Sequence, residues 1–162
     1  MFDKILYPTD GSDISLKALP YVRGLHGAGA RQIILVHVID DKSMDLMRKG
    51  MPFAGKDSAA FLARIHESLR EGARRKVLPV AETLKEAGLD VSVRIETGSP
   101  RSKILEIADT EDVSAIVLGS HGRSNIAGML LGSVADYVIR HARQPVIVIK
   151  REAGQSTRTD GQ

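Results

Sequence analysis

The chain has 162 residues, a formal net charge of +3 and an isoelectric point near 9.3, and its length suits a single domain. It contains no cysteine, which excludes disulfides, a thiolate nucleophile and cysteine metal ligands. It has only three tyrosines, three phenylalanines and no tryptophan, so nucleic-acid binding through stacked rings is not expected. Charges at Asp3 and Lys4 argue against a signal peptide, and no apolar run approaches the ~20 residues that span a bilayer. We therefore expect a cytoplasmic protein that does not enter a membrane.

Five short segments rich in β-branched residues have the pattern of β-strands. Four are almost continuously apolar, as strands buried on both faces of a parallel sheet are, and one alternates apolar and polar residues, as a strand near a sheet edge does. In chain order the strands are predicted at residues 4–7, 32–39, 90–96, 115–118 and 145–150, and 90–96 is the alternating one.

Amphipathic helical patterns separate these strands. The first begins after Ser12 or Asp13 as the N-cap and contains Pro20, which predicts a kink or a later start. The second is long, contains Pro79 as a predicted kink or interruption, and ends at Gly88 as a C-cap. The helices are predicted at residues 14–25, 59–87, 100–108 and 133–142.

Alternating strands and helices predict an α/β fold, a doubly wound parallel sheet with helices on both faces. We expect residues 1–151 to form one domain. Residues 40–58 contain glycine and proline and are predicted to be a long mobile loop, and residues 152–162 are predicted to be a disordered tail.

Several partial motifs are better explained as ordinary structure. Residues 50–57 approach a Walker A loop, but Asp57 stands where a serine or threonine would bind magnesium. The five histidines have no metal-ligand spacing, and His37, inside an apolar strand, is predicted to be a core histidine. No serine has the surroundings of a hydrolase nucleophile.

The segment GSHGRSNIAGMLLGS follows the fourth predicted strand. Gly119 and Gly122 would allow a tight turn and a close approach of backbone amides to a ligand. Gly132 and Ser133 open the last helix, where Ser133 is predicted as the N-cap in a capping box with Asp136. A helix N-terminus attracts anions, so the segment could form an anion-binding site. The alternative is an ordinary strand-to-helix loop.

A second loop, YPTDGS, also leads from a buried strand into a helix. If the first and fourth strands are neighbours, both loops face one crevice at the carboxyl edge of the sheet. Asp10 would then be available to a ribose hydroxyl or a bridging metal ion, and the alternative is that Asp10 serves only the turn after Pro8.

The stretches KILYPTD, LVHVID and GSHG…LLGSV resemble the universal stress protein family from residue 3 to about residue 151. The spacing of Gly119, Gly122, Gly132 and Ser133 is similar to the G-2x-G-9x-G-[ST] motif of the family's ATP-binding branch. The resemblance implies a five-stranded sheet of order 3-2-1-4-5, with ATP bound between the first and fourth strands. It also implies a homodimer through the last strand, from Pro145 to Lys150.

The resemblance assigns the nucleotide contacts as well. Pro8, Thr9 and Asp10 would line the adenosine side, with Asp10 near the ribose and available to Mg²⁺ or Mn²⁺ held by the phosphates, and Val38 would pack near the adenine. The residues implied around the ribose and phosphates are Gly119, His121, Gly122, Arg123, Gly132, Ser133 and Val134.

The function predicted from the resemblance is that of an ATP-binding, dimeric stress-response regulator whose protein partner is unknown. The alternatives are a slow magnesium-dependent ATPase and a structural dimer that holds no nucleotide. No catalytic residue is predicted, so we do not expect an enzyme beyond a weak ATPase.

Overall fold

The computed structural model describes residues 1–42, 58–120 and 131–150. Its centre is a parallel five-stranded sheet of order β3-β2-β1-β4-β5. The strands are β1 (Lys4–Pro8), β2 (Gln32–Asp40), β3 (Asp90–Gly98), β4 (Ala115–Gly119) and β5 (Val146–Ile149). All five predicted strands are therefore confirmed, and so is the predicted order.

The burial of each strand follows from its place in the sheet. The central strands β1 and β4 are apolar because helices cover both of their faces, and Ile5, Leu6 and Tyr7 are fully buried. The alternating strand β3 lies at one edge, as predicted, and β5 forms the other edge, with all four residues half-buried.

Helices cover both faces of the sheet. The helices are α1 (Asp13–Leu16), α2 (Leu19–Gly24), α3 (Ser58–Glu86), α4 (Pro100–Thr110) and α5 (Ser133–His141), with a 3-10 helix at Leu25–Ala28. One apolar core joins β-strand residues to α2 and α3, and a second joins the opposite face to α4 and α5. The two cores meet through the sheet.

The prolines act differently in the two predicted helices that contain them. The pattern at 14–25 is not one helix, because α2 begins anew with Pro20 in its first turn, where a missing N–H costs nothing. The helix α3, in contrast, continues through Pro79, so the alternative of an interruption there is wrong. Burial of Val77, Val80 and Ala81 beside Pro79 provides packing that offsets the lost hydrogen bond.

Two helix caps were predicted correctly and one was not. Ser12 caps α1 by accepting from the Ser15 amide at 3.3 Å, and Gly88, at φ +87°, ends α3 with the Leu89 amide donating to Leu84. The predicted cap at Ser133 is wrong: Gly132 is the N-cap of α5, and Ser133 is already helical. Asp136 therefore lies too far along for a capping box and instead bonds Arg140 at 3.0 Å.

Two predicted segments fall largely outside the described residues. Asp40 is the last residue of β2, and the predicted mobile loop continues into residues 43–57, which lie outside the described part. The predicted tail at 152–162 also lies outside it. Within the described residues, none of the helices has the length and apolar character to cross a membrane.

Candidate functional site

A crevice of about 490 Å³ opens at the carboxyl edge of the sheet. Its floor is formed by the ends of β1, β2 and β4, and its walls come from α3 on one face and from α4 and α5 on the other. The strand order reverses at this position. From β1 the chain proceeds to β2 and β3 on one side of the sheet, and β4 and β5 lie on the other side of β1. Open α/β sheets bind ligands at such a point.

The crevice brings together predicted site residues from four separate segments. Those that line it are Pro8, Thr9, Asp10, Val38, Gly119, Gly132, Ser133 and Val134. The prediction that β1 and β4 are neighbours is thus confirmed, and Gly119 and Gly132, at the described ends of the second loop, line the same crevice as the loop after β1. The other predicted contacts, His121, Gly122 and Arg123, lie outside the described residues.

A chain of hydrogen bonds fixes the turn between β1 and α1. The Ser15 hydroxyl donates to the Ser12 carbonyl at 2.9 Å, so the Thr9 hydroxyl, 2.9 Å away, is the donor in its bond to Ser15. The oxygen of that Thr9 hydroxyl in turn accepts from the Gly11 amide at 3.2 Å. Thr9 and Ser15 are both buried, so the turn is held from inside.

Tyr7 supports the same turn from the core. Its hydroxyl donates to the Ser15 carbonyl oxygen at 2.8 Å, and the side chain is fully buried. Burial raises the pKa of the Tyr7 phenol well above its usual range, and the negative charge of Asp10 adds to the effect. Tyr7 therefore remains a neutral donor.

The local backbone orients Asp10. Its Oδ1 accepts from the Ser12 amide at 2.9 Å, an Asx turn that holds the carboxylate at the mouth of β1. Gly11 follows at φ +73°, a conformation that glycine adopts without the strain other residues would carry. The turn reading of Asp10 is thus correct, and the same turn places Asp10 on the crevice wall.

His37 is the buried histidine that the sequence predicted, and it also lines the crevice. Its ring Nδ1 lies 2.9 Å from the Thr9 carbonyl oxygen. Because a carbonyl only accepts, the proton is on Nδ1. His37 thereby joins the end of β2 to the loop after β1.

The N-terminus of α5 closes the opposite wall. The Gly132 amide donates to the Ser120 carbonyl at 2.7 Å, and the Ser120 amide donates to Ile149 at 2.8 Å, so the helix start is tied to β4 and β5. The amides of Ser133 and Val134 belong to the first turn, where no partner exists inside the helix. The positive end of the helix dipole thus faces the crevice.

The α3 wall was missed by sequence reasoning. It presents Ser68, Leu69, Gly72, Ala73 and Lys76, which follow the end of β2 by 28 to 36 residues and carry no ligand motif. One signal was available: a glycine inside a long helix costs about 1 kcal/mol relative to alanine and needs a reason. Sequence reasoning also missed Pro100 and Ile104 of α4 and Asp40 of β2 as lining residues.

Formal charges of both signs line the crevice. Asp10 and Asp40 carry carboxylates, and Lys76 carries the one ammonium among the described lining residues. The described part of the chain holds no group of three histidine, aspartate or glutamate side chains that would bind a metal ion unaided. The described part of the site therefore combines two carboxylates and one ammonium group with backbone amides, hydroxyls and an apolar floor.

The fold and the crevice define an open α/β domain with a ligand-sized cleft at the switch point of its sheet. A model of the universal stress protein family matches residues 1–150. The chain belongs to that family.

Known relatives agree over almost the whole chain. Universal stress protein MJ0577 of Methanocaldococcus jannaschii is 37% identical over 157 residues, which cover 94% of this chain and 97% of that protein. The solved structure of MJ0577 has a TM-score of 0.81 at 35% identity, covering 94% of this chain and 98% of that one.

Two further solved structures contain nucleotides. A universal stress protein in complex with cAMP has a TM-score of 0.58 at 27% identity, covering 92% of this chain and 97% of that one. A family protein of Arabidopsis thaliana with AMP bound has a TM-score of 0.60 and covers 98% of this chain and 97% of that one. At 18% identity the second shows a shared fold alone.

Proposed function

We propose that this chain binds ATP in the crevice and acts as a nucleotide-dependent regulator rather than as an enzyme. The observation that carries the proposal is the convergence of Pro8–Asp10, Val38, Gly119 and Gly132–Val134 on one cleft of about 490 Å³. Pockets of this size suit small molecules and cofactors. The cAMP in the complex of the relative that is 27% identical supports an adenine ligand.

The proposed orientation follows the chemistry of the two walls. The adenine packs on Val38 and Pro8, both half-buried, and the ribose hydroxyls bond Asp10. The phosphates lie at the first turn of α5, where amides and the helix dipole favour negative charge. His121, Gly122 and Arg123 are proposed to complete the phosphate side.

A magnesium or manganese ion fits this arrangement only as a companion of the nucleotide. Mg²⁺ typically takes one or two carboxylates and completes its shell with water and substrate phosphates. Asp10 is the carboxylate that the β1–α1 turn aims at the cleft. When bound, the ion would neutralise phosphate charge beside Asp10.

Calorimetric titration of the purified protein with ATP, AMP and GTP tests the proposal, with Gly132→Val as the decisive variant. Gly132 is buried, and its φ of −73° and ψ of 156° are angles that valine also adopts, so the substitution does not strain the backbone. The branched side chain would cover the phosphate position. We expect ATP affinity to fall more than about tenfold, a loss of at least about 1.4 kcal/mol.

Gly27→Val, the same substitution at an exposed glycine, is the control and should leave ATP affinity unchanged. A Cβ at Gly27 would meet nothing within 4 Å, and Gly27 lies in the 3-10 helix away from the crevice lining. Unchanged ATP affinity in Gly132→Val would remove the start of α5 from the site. If no nucleotide releases heat or raises the melting temperature of the wild-type protein, ATP binding itself is wrong.

The proposal that this chain is not an enzyme has its own test. Incubation with ATP and magnesium should release ADP no faster than the Asp10→Ala variant does. Turnover well above that background would favour the slow ATPase.

We further propose that residues 1–151 act as one nucleotide-binding domain, that 152–162 is a tail, and that two copies pair through β5.

A further inference from the structure

Lys76 stands out among the cleft residues that the proposed function leaves without a role. It lies on α3, on the wall opposite α5, and it is the one formally cationic side chain among the described lining residues. The ion pairs within the described part of the chain do not include it. Its charge is therefore not neutralised by a described carboxylate at ion-pair distance.

The β1–α1 turn fits closely around the stem of this lysine. A Cβ added at Gly11 would lie 2.8 Å from Cδ of Lys76 and 3.2 Å from its Cβ, distances that real Cβ atoms avoid or rarely show. The absence of a side chain at Gly11, at φ +73°, thus lets the lysine stem lie directly on the turn that orients Asp10.

The surface of α3 next to Lys76 carries no side chain at Gly72, which also lines the cleft. Gly72 lies one turn earlier on α3 and therefore on the same face of the helix. A Cβ at Gly72 would meet nothing within 4 Å, so packing inside the protein does not require glycine there. Both residues line the cleft, which leaves open space beside the lysine.

Charge gives the lysine a function in this cleft. Asp10 and Asp40 both line it and would repel a polyphosphate. A cation on α3, packed against the turn that carries Asp10, offsets that repulsion and attracts ligands in proportion to their negative charge. We propose that Lys76 binds the ligand's phosphate group and sets the preference of the site for charged nucleotides over the uncharged nucleoside.

This inference rests on the proposed nucleotide site, and the experiment separates the two. The affinities of ATP, AMP and adenosine are measured by calorimetry at low and at physiological salt for the wild type and for Lys76→Gln. We expect ATP to bind Lys76→Gln about three- to tenfold more weakly, a range that allows for screening at an exposed lysine, and adenosine to bind within about twofold of wild type. The salt dependence of ATP binding should also become shallower.

Arg75→Gln is the matched control, because it removes the same charge from the neighbouring position of α3, which does not line the cleft. It should leave the ratio of ATP to adenosine affinity close to that of the wild type. An equal loss in both variants would show a general field effect and overturn the assignment to Lys76. An unchanged ratio in Lys76→Gln would overturn it as well.

Gly11→Ala adds a geometric readout. The new methyl group would displace the lysine stem, so the ratio of ATP to adenosine affinity should fall in the wild-type background and fall no further in the Lys76→Gln background. Independent, additive losses would contradict the contact between the turn and the lysine. If wild-type protein binds no adenine compound at all, the proposed function fails and this inference fails with it; if it binds them and only the ratio is unaffected, Lys76 alone is wrong.

Discussion

At the scale of single residues, the turn after β1 is stabilised by donors buried beneath it. Tyr7 donates to Ser15, Ser15 donates to Ser12, and Thr9 donates to Ser15. A typical hydrogen bond contributes about 1 kcal/mol, and leaving a buried carbonyl unpaired costs about 1–3 kcal/mol. The orientation of Asp10 therefore depends on buried side chains, among them Tyr7, which does not itself line the crevice.

Tyr7→Phe tests this support and has a pH signature. At neutral pH we expect a loss of about 0.5–1.5 kcal/mol in the free energy of unfolding, because the Ser15 carbonyl loses the Tyr7 hydroxyl as a donor but keeps the Ala18 amide. The pKa of Tyr7 is raised in the folded state from an ordinary value of 10.0, so above about pH 10 the unfolded chain binds fewer protons and stability falls as pH rises. Above about pH 10, Tyr7 alone should make the free energy of unfolding fall with a slope approaching about 1.36 kcal/mol per pH unit. Tyr7→Phe should lack this contribution.

Urea unfolding at several pH values between 8 and 11 measures both effects. Tyr21→Phe is the control, because it removes the hydroxyl of a tyrosine that is 58% exposed. An identical alkaline slope in wild type and Tyr7→Phe would contradict the role of Tyr7.

At the scale of elements, α3 combines a strong C-cap with a weak interior position. Gly88 ends it in a Schellman motif, with the Gly88 amide donating to Lys85 at 2.8 Å and the Leu89 amide donating to Leu84 at 3.2 Å. Gly72, in contrast, sits inside the helix with no packing reason to be glycine. The helix thus gives up some stability at the cleft.

Gly72→Ala should raise the free energy of unfolding by about 0.5–1 kcal/mol, because alanine loses less backbone entropy in a helix and the added methyl meets nothing within 4 Å. Urea unfolding measures the gain. Gly24→Ala in α2 has equally open surroundings and serves as a comparison outside the cleft. Destabilisation of Gly72→Ala alone would mean that the space beside α3 is not available to a ligand.

At the scale of the whole molecule, the two sheet edges differ. At β3, the outward carbonyl of Ile95 accepts from Arg70 at 3.3 Å, and His66 bonds Thr97 at 3.0 Å, so α3 side chains occupy part of that edge. At β5, the carbonyls of Pro145 and Ile149 bond β4, and alternation then directs the backbone groups of Val146 and Val148 outward. This edge can pair with a second copy.

Val148→Pro should abolish the proposed dimer. Proline removes an outward N–H without breaking the ladder to β4, so the fold should persist while pairing across the edge is lost. Sedimentation velocity of both proteins measures the change in mass. Val93→Pro, which alters an outward residue of β3, should remain dimeric, and a dimeric Val148→Pro would place the interface elsewhere.

The parts that sequence predicted well depend on local pattern. Continuous apolar runs identified the buried strands, and the alternation at residues 90–96 identified the edge strand. The cap at Ser133 failed because its serine-x-x-aspartate spacing also suits a helix that begins one residue earlier. There Gly132 is tied to Ser120 by a contact that sequence does not reveal.

The sequence by itself determined the strands, the family resemblance and the two loops that meet at the cleft. The reason is that periodicity, turn residues and motif spacing act over short distances along the chain. Only the tertiary structure decided that α3 forms a wall, that Pro79 leaves this helix continuous, and that Lys76 rests on Gly11. These depend on the packing of segments far apart in sequence, where space and neighbouring charge, rather than local propensity, determine the outcome.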